Sequence, residues 1–498
     1  MGVIKLDQQD QFRITLPWPL PSREGEKDSI WTNDKRMIGS DNNIKKALVV
    51  GLGYRTGVAV SNFLAGRGAI VVASDSKSSA ELGDVLPKVD PSVRVVTGEQ
   101  KPELLNEGFD ALIVSPGVPV TVPLVAEAIR RKMPVMAEVE LAFRYLRGMI
   151  VGITGTDGKS TTTALTGHIL TRMGMETLVG GNIGTPLISF AGKTSDNSVI
   201  VAELSSFQLE TIALFRPDVA VLLNVAPDHL DRYNSMEDYF QAKMRISMNQ
   251  DAGDCFIYNR DDPIARSGAS LVNASTLAFS IEERRGDIYY HNGAVHIKEG
   301  DRKILEADRL RIMGMHNVQN AMAAVLAVQS VMRKKEMLPD YERIAEAVYS
   351  FSGLEHRLER IGSFKGREFI NDSKATTVSA VLTALRSLRG KGVLILGGRT
   401  KGDDYSRLAA GLDGTVRTLV LIGESKDYFS RIFKGHDQVP AETLDDAVVK
   451  AMRASGEGDV ILLSPACASF DMFKDYEERG EEFKKSFHRL QSGELSWT

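Results

Sequence analysis

The apolar run Met149 to Ile153, followed by Gly155-Thr156-Asp157-Gly158-Lys159-Ser160-Thr161, narrows the possible folds more than any other stretch of the chain. A short buried strand, a glycine turn and the helical pattern of Thr162 to Met173 form a strand–loop–helix unit, the building block of a parallel α/β sheet. At the loop, backbone N–H groups and the positive end of the helix dipole converge on one anion seat. Lys159 is placed to reach the outer phosphates of a nucleotide, and the Ser160 hydroxyl to ligate Mg²⁺. The usual phosphate loop has glycine five residues before Gly158; here Ile153 stands there, with the extra glycine at Gly152. The pattern predicts binding of ATP or GTP.

The chain's 498 residues give room for about three domains, each with its own core. A net charge of −4 gives no sign of a nucleic-acid partner. No apolar run approaches the roughly 18–20 residues that cross a bilayer, so no membrane insertion is expected. Cys255 and Cys467 are the only cysteines, which excludes a disulfide framework or a cysteine-based zinc site. A cytoplasmic protein is expected. Residues 1–44 are polar, broken by Pro17, Pro19 and Pro21, and lack sustained periodicity. They are expected to be a disordered, dispensable leader, with Met37 an alternative start.

Three αβ blocks follow. In the first (45–147), strand Ala47 to Val50 runs into a Gly51-Leu52-Gly53 turn and the helix Val58 to Ala65. A second strand ends at Asp75, 24 residues after Gly51, about where an acid meets a ribose hydroxyl. The loop from Ser115 to Pro119 follows the strand Ala111 to Val114 and is expected to face the same ligand as Asp75. The second block (148–351) carries the phosphate loop, strands Val199 to Leu204 and Val219 to Val225, and a hairpin turning at Asn292-Gly293. The third (352–498) alternates strands and helices again. The fold class is therefore α/β: Rossmann-like N-terminal and C-terminal domains flanking a central P-loop ATPase-like domain.

Parallel strands bring their C-terminal ends to one edge, so Glu203 and His229 are placed to hold a metal near the nucleotide. In the third block, the loops at Asn371 to Thr376, Gly397 to Lys401 and Ser464 to Ser469 each follow a strand. Together they are expected to form one rim for an anionic small molecule, with Cys467 small and buried. Lys243, on the expected helix Met236 to Ile246, has two readings. Beside Mg²⁺ an ammonium would be repelled, which favours its conversion by CO₂ to a carbamate; a surface pairing with Asp238 or Asp228 reads equally well.

From about Lys46 to Leu490 a series of motifs runs in order: SPG at Ser115, GTDGKST, GGNIG at Gly180, ELSSFQLE at Glu203 and PDHLDRY at Pro227. AKMRI at Ala242, GMHNVQNAMAA at Gly314, GLEHR at Gly353, NDSKAT at Asn371 and SPACASFDMF at Ser464 complete it. This series resembles the Mur ligases, ATP-dependent amino-acid ligases of peptidoglycan precursor synthesis, and looks most like their D-glutamate-adding branch. The Asp-Asn-Pro-Arg signature of a diaminopimelate-adding relative is absent.

The resemblance implies an ADP-forming ligase joining D-glutamate to UDP-N-acetylmuramoyl-L-alanine through an acyl phosphate, expected to work as a monomer. Gly53, Thr56, Asp75, Ser115 and Gly117 would hold the uridine diphosphate end. Gly155, Thr156, Asp157, Gly158, Lys159, Ser160 and Thr161 would bind ATP phosphates, Asn317 and Asn320 adenine, and Arg357 and Asp372 would hold ATP from the third domain. Two Mg²⁺ ions would rest on Ser160, Glu203, His229 and a carbamylated Lys243. Asn182, Ser205 and Gln208 would contact the sugar-nucleotide substrate, and Lys374, Thr376, Lys401, Ser469 and Phe470 would surround D-glutamate. Lys159, His229, Lys243 and Lys401 would carry the catalysis. Asp157 stands where this family commonly has Asn, Tyr476 where it commonly has Phe, and one extra residue separates Gly53 from Gly57.

Overall fold

The computed structural model describes residues 44–53, 55–229, 232–388 and 390–497; apart from residue 44, the expected leader lies outside them. Three sheets carry the chain, and the described residues divide into two compact units.

The first unit is built on a five-stranded parallel sheet. Its spatial order is Arg94–Thr97, Ile70–Asp75, Lys46–Val50, Ala111–Val114, Val135–Ala137. The central strands are mostly apolar because helices such as Thr56–Gly66 and Pro123–Arg130 cover them. Leu48, Val50, Val72, Leu112 and Val114 pack with Leu124, Val125 and Ala128 of the second helix. Two stretches expected in the central block, Phe207–Arg216 and Met244–Asn249, belong to this unit instead. Buried Glu140 explains part of that: its Oε2 accepts the N–H groups of Ala213, Leu214 and Phe215 at 2.9, 3.0 and 2.9 Å. Arg245 donates to the carbonyls of Leu209 and Ile212 at 2.8 and 2.6 Å. A carboxylate and a guanidinium removed from water need such partners, and the backbone supplies them.

In the second unit, the phosphate-loop strand Met149–Thr154 lies between Val199–Glu203 and Val219–Leu222 in a nine-stranded sheet. The pairs Ile153 with Glu203 and Thr154 with Leu222 are in parallel register, so all three strands end at one edge, as the sequence predicts. The helix after the loop begins at Lys159, three residues earlier than the apolar pattern suggests, and runs to Arg172. The far side of the sheet departs from a parallel arrangement. Ile288–His291 and Ala294–Ile297 form the expected hairpin, with Asn292 and Gly293 both at positive φ, and Arg302–Glu306 adds another antiparallel strand.

The third sheet, also in this unit, has the order Glu359–Phe364, Arg367–Asn371, Val460–Leu463, Gly392–Gly397, Val416–Ile422, Gln438–Pro440. Val460–Leu463, last of these in sequence, returns to lie between Arg367–Asn371 and Gly392–Gly397. The loops leaving these three strands are therefore neighbours. Among the described residues, no helix is long and apolar enough to cross a membrane.

Candidate active site

The phosphate loop turns on glycine. Gly158 has φ of +81°, and a Cβ there would collide with Asn320 Oδ1. Lys159 folds back so that Nζ donates to the carbonyls of Gly155 and Thr156 at 3.0 and 2.6 Å. Lys243 reaches the same Gly155 carbonyl, at 2.8 Å. Two lysines thus share one acceptor, and Lys243 is only 1% exposed. Burial, reinforced by the charge of Lys159, pushes the Lys243 amine down to about 6. Its surface pairing with Asp238 or Asp228 is excluded: the side chain lies inside, with Nζ 4.2 Å from the ring centroid of buried Tyr239. The Tyr239 hydroxyl lies 3.4 Å from Thr156 Oγ1, and burial pushes its pKa up to about 12. Burial also lowers the pKa of Lys159; the carboxylates of Glu203 and Asp157 oppose that, and Arg357 adds to it.

Glu203, 1% exposed, ends its strand as expected. Asn182 donates from Nδ2 to Glu203 Oε1 at 2.7 Å and from its backbone N–H to the Glu203 carbonyl at 2.8 Å, so it steadies this acid. Glu203 Oε2 is buried without a hydrogen-bond partner. A buried carboxylate oxygen left open in this way has the chemistry of a ligand to a hard cation. His229 lies at the exposed edge of this group: its side chain is 46% exposed, its φ is +53°, its Nε2 lies 3.5 Å from Asp228 Oδ2, and its ring meets buried Tyr239 edge-on at 6.2 Å between centroids. Elsewhere, among the described residues, a group of three acid and histidine side chains, Glu355, His356 and Glu481, gathers within 4.8 Å. There Lys484 already supplies the positive charge, at 3.4 Å from Glu355 and 2.9 Å from Glu481.

Asn317 and Asn320 are buried and linked, Asn320 Nδ2 to Asn317 Oδ1 at 2.9 Å. Asn317 also donates to the Met313 carbonyl at 2.6 Å, and Asn320 Oδ1 accepts from Thr162 at 3.2 Å. Asn320 thus braces the first turn of the phosphate-loop helix, and Asn317 holds Asn320.

The three loops of the third sheet form one connected rim, as expected. Lys401 Nζ donates to Thr376 Oγ1 at 2.9 Å. Ser464 Oγ donates to Asp372 Oδ2 at 2.8 Å, and the Ala466 N–H to the Ala375 carbonyl at 2.9 Å. Burial raises the Asp372 carboxyl to about 7. Arg479, which no motif singles out, ties the rim together: it donates to Ser373 Oγ at 2.9 Å, the Ser373 carbonyl at 2.8 Å and the Cys467 carbonyl at 3.1 Å. Cys467 is buried as expected, and burial pushes its thiol up to about 11. Ser469 is buried, Phe470 is exposed, and Lys374 Nζ stands 5.8 Å from the Tyr476 ring centroid.

In the first unit, Asp75 and Ser115 grip the glycine turn from two sides. Asp75 accepts the N–H groups of Leu52 and Lys77 at 2.8 and 3.0 Å, and Ser115 Oγ donates to the Gly51 carbonyl at 2.5 Å. The acid expected at a ribose also shapes the turn, one N–H on each carboxylate oxygen. Gly53, Thr56 and Gly117 lie around it, while Gln208 is buried in the separate Phe207–Arg216 stretch of the same unit. Ser205 follows Glu203 in the second unit.

A strand–glycine loop–helix unit beside buried acid and lysine groups, together with a polar rim on a second, mostly parallel sheet, defines an α/β protein of the phosphate-loop class. Residues 45–137 match the Mur ligase MurD-like N-terminal domain, 153–328 the Mur ligase middle domain and 356–467 the Mur ligase glutamate ligase domain. The chain is 42% identical over 451 residues to a UDP-N-acetylmuramoylalanine–D-glutamate ligase of Koribacter versatilis (strain Ellin345), covering 90% of this chain and 98% of the relative. It is 43% identical over 455 residues to a protein of the same name from Geobacter sp. (strain M21), covering 90% and 99%. Among solved structures it resembles a UDP-N-acetylmuramate-alanine ligase from Thermotoga maritima, with TM-score 0.56, 20% identity, and 90% of this chain and 99% of that one covered. The chain belongs to the Mur ligase family.

Proposed function

We propose that this protein joins D-glutamate to UDP-N-acetylmuramoyl-L-alanine, converting ATP to ADP and phosphate, in peptidoglycan precursor synthesis. The observation that carries this reading is the 42–43% identity, over nearly the whole length, to relatives that bear that activity in their names. The chemistry answers a specific difficulty. A carboxylate is a poor electrophile because its leaving group would be oxide. Transfer of the γ-phosphoryl group to a carboxylate oxygen of the alanyl substrate releases ADP and leaves an acyl phosphate. The neutral amine of D-glutamate attacks its carbonyl carbon, the tetrahedral adduct gives up one amine proton to solvent, and it collapses to amide and inorganic phosphate. Lys159 and the N–H groups at the start of its helix neutralise charge on the phosphoryl oxygens. Lys401, held at Thr376 beside the D-glutamate site, shares that role.

Glu203, Ser160, His229 and Lys243 would hold Mg²⁺, whose positive charge supports the same phosphoryl oxygens. For Lys243 the reading includes carbamylation. The Nζ lone pair of the neutral amine attacks the carbon of CO₂, and one proton leaves to solvent, giving an N-carboxylate. Lys243→Ala is then nearly inactive, and added acetate partly restores it; normal activity of Lys243→Ala in CO₂-depleted buffer refutes the carbamate. The expectations of a cytoplasmic monomer belong to the same reading. Phosphate release with UDP-N-acetylmuramoyl-L-alanine and ATP, compared across D-glutamate, L-glutamate, L-alanine and diaminopimelate, tests the whole. D-Glutamate should be strongly preferred. No phosphate release with D-glutamate, or preference for another amino acid, overturns it.

A further inference from the structure

We propose that Asn224 is a positioning residue that divides the phosphate loop into a protein-bound half and an anion-binding half. The residue lies two positions beyond the strand Val219–Leu222. Its Oδ1 accepts the N–H of Thr156 at 3.0 Å and that of Asp157 at 2.8 Å, while its Nδ2 donates to the Asp157 carbonyl at 3.1 Å. Its own carbonyl also accepts from Thr156 N–H, at 3.0 Å. One side-chain amide therefore clamps the Thr156-Asp157 segment as donor and acceptor together. A carboxylate can only accept, and glutamine is a methylene too long.

The clamp is itself held on both sides. Leu223 N–H donates to the Thr154 carbonyl at 3.0 Å, tying the clamp to the phosphate-loop strand. Val225 N–H donates to Asp262 Oδ2 at 2.9 Å, and Asp262 Oδ1 caps the helix Pro263–Gly268 by accepting from Ile264 and Ala265 at 3.0 and 2.8 Å. Asn224 is thus braced by the sheet and by a helix terminus, and it transmits that rigidity to the loop.

A division of labour follows. The N–H groups of Thr156 and Asp157 are turned to Asn224 and are not available to an anion. The first-turn N–H groups of the helix Lys159–Arg172 have no acceptor within the helix. With the Gly158 N–H they make the anion seat, so the phosphate contacts come from Gly158 to Thr161 rather than from the whole run Gly155 to Thr161. Asn224 touches no phosphate in this arrangement; it fixes the angle at which the loop enters the helix. Because the clamp is half-buried, water can replace it without much loss of fold stability, whereas the anion seat loses its fixed geometry.

This inference rests on reading the loop as a nucleotide site, so the experiment begins with wild-type protein. Calorimetric titration with Mg·ADP should show binding; its absence would overturn the nucleotide reading and this inference with it. Asn224→Leu, and the smaller Asn224→Ala, should each weaken Mg·ADP by about tenfold or more, the effect of losing a clamp of this kind. In turnover assays the KM for ATP should rise by a similar factor, while the KM values for the amino acid and sugar nucleotide stay within about twofold and Tm within about 2 °C. If wild type binds Mg·ADP and both variants bind it equally well, the clamp has no positioning role. A parallel rise of all three KM values with a lowered Tm would likewise overturn it, by making Asn224 a general structural residue.

Discussion

Replacing Lys243 with methionine should stabilise the protein at neutral pH while removing its activity. The amine is 1% exposed, and burial with Lys159 close by lowers its pKa from 10.5 to about 6. At pH 7 the unfolded chain carries an ammonium there and the folded chain a neutral amine, so folding removes a proton across about 3.5 pH units. At about 1.36 kcal/mol per unit this costs about 5 kcal/mol. Methionine has similar reach and no charge, so the substitution abolishes that cost. It forfeits the bond to the Gly155 carbonyl, worth about 1 kcal/mol, although that carbonyl still accepts from Lys159. The net gain at pH 7 is about 3–4 kcal/mol. Because the unfolded state binds the extra proton, wild-type stability gains from this site as pH rises from about 6 to 10.5. The advantage of Lys243→Met therefore shrinks across the same window. Urea unfolding of both proteins in CO₂-depleted buffer, at neutral and alkaline pH, measures it. A difference that does not change with pH, or a wild type more stable at pH 7, refutes the neutral buried amine.

Lys159→Ala should abolish phosphate release, because the transferred phosphoryl group loses its positioned cation; turnover within about tenfold of wild type would refute the phosphate-loop assignment. Asp372, raised by burial from 3.8 to about 7, keeps its proton in the folded state over a range where the unfolded chain has lost it. Its contribution to stability is full below about pH 3.8 and is lost as pH rises through 7, on the order of 4 kcal/mol; Asp372→Asn should flatten that slope in acid-to-neutral unfolding curves. Gly397→Ala should destabilise by about 3 kcal/mol or more, since its φ is +133° and an added Cβ would strike the Ile422 carbonyl oxygen. Thermal unfolding that matches wild type would show that this turn can relax.

Local pattern was enough to define much of this protein. The strand Ala111–Val114, the strand Val460–Leu463 and the Asn292-Gly293 hairpin form where the sequence predicts, because their determinants lie within a few residues of each other. The phosphate loop was legible for the same reason: glycine, lysine and a helix start act at short range. The three-loop rim was legible because loops after parallel strands share an edge, once Val460–Leu463 returns between its two neighbours.

What the sequence could not supply was the partner of each polar group. Asp75 reads as a ligand carboxylate, and nothing in its pattern shows that it also holds the N–H groups of Leu52 and Lys77. Lys243 reads equally as a surface ion-pair residue, and only its burial 88 positions along the chain from Gly155, on the carbonyl Lys159 also uses, makes it a neutral amine. Asn224 clamps the loop 67 residues away, and Arg479 reaches Ser373 across 106. The sequence by itself determined the elements and the chemical groups at their ends, because propensity, glycine and hydrophobic period are local properties. Which of those groups meet, and therefore which are charged, is decided by tertiary packing, because desolvation and hydrogen bonding depend on neighbours that the chain brings together only when folded.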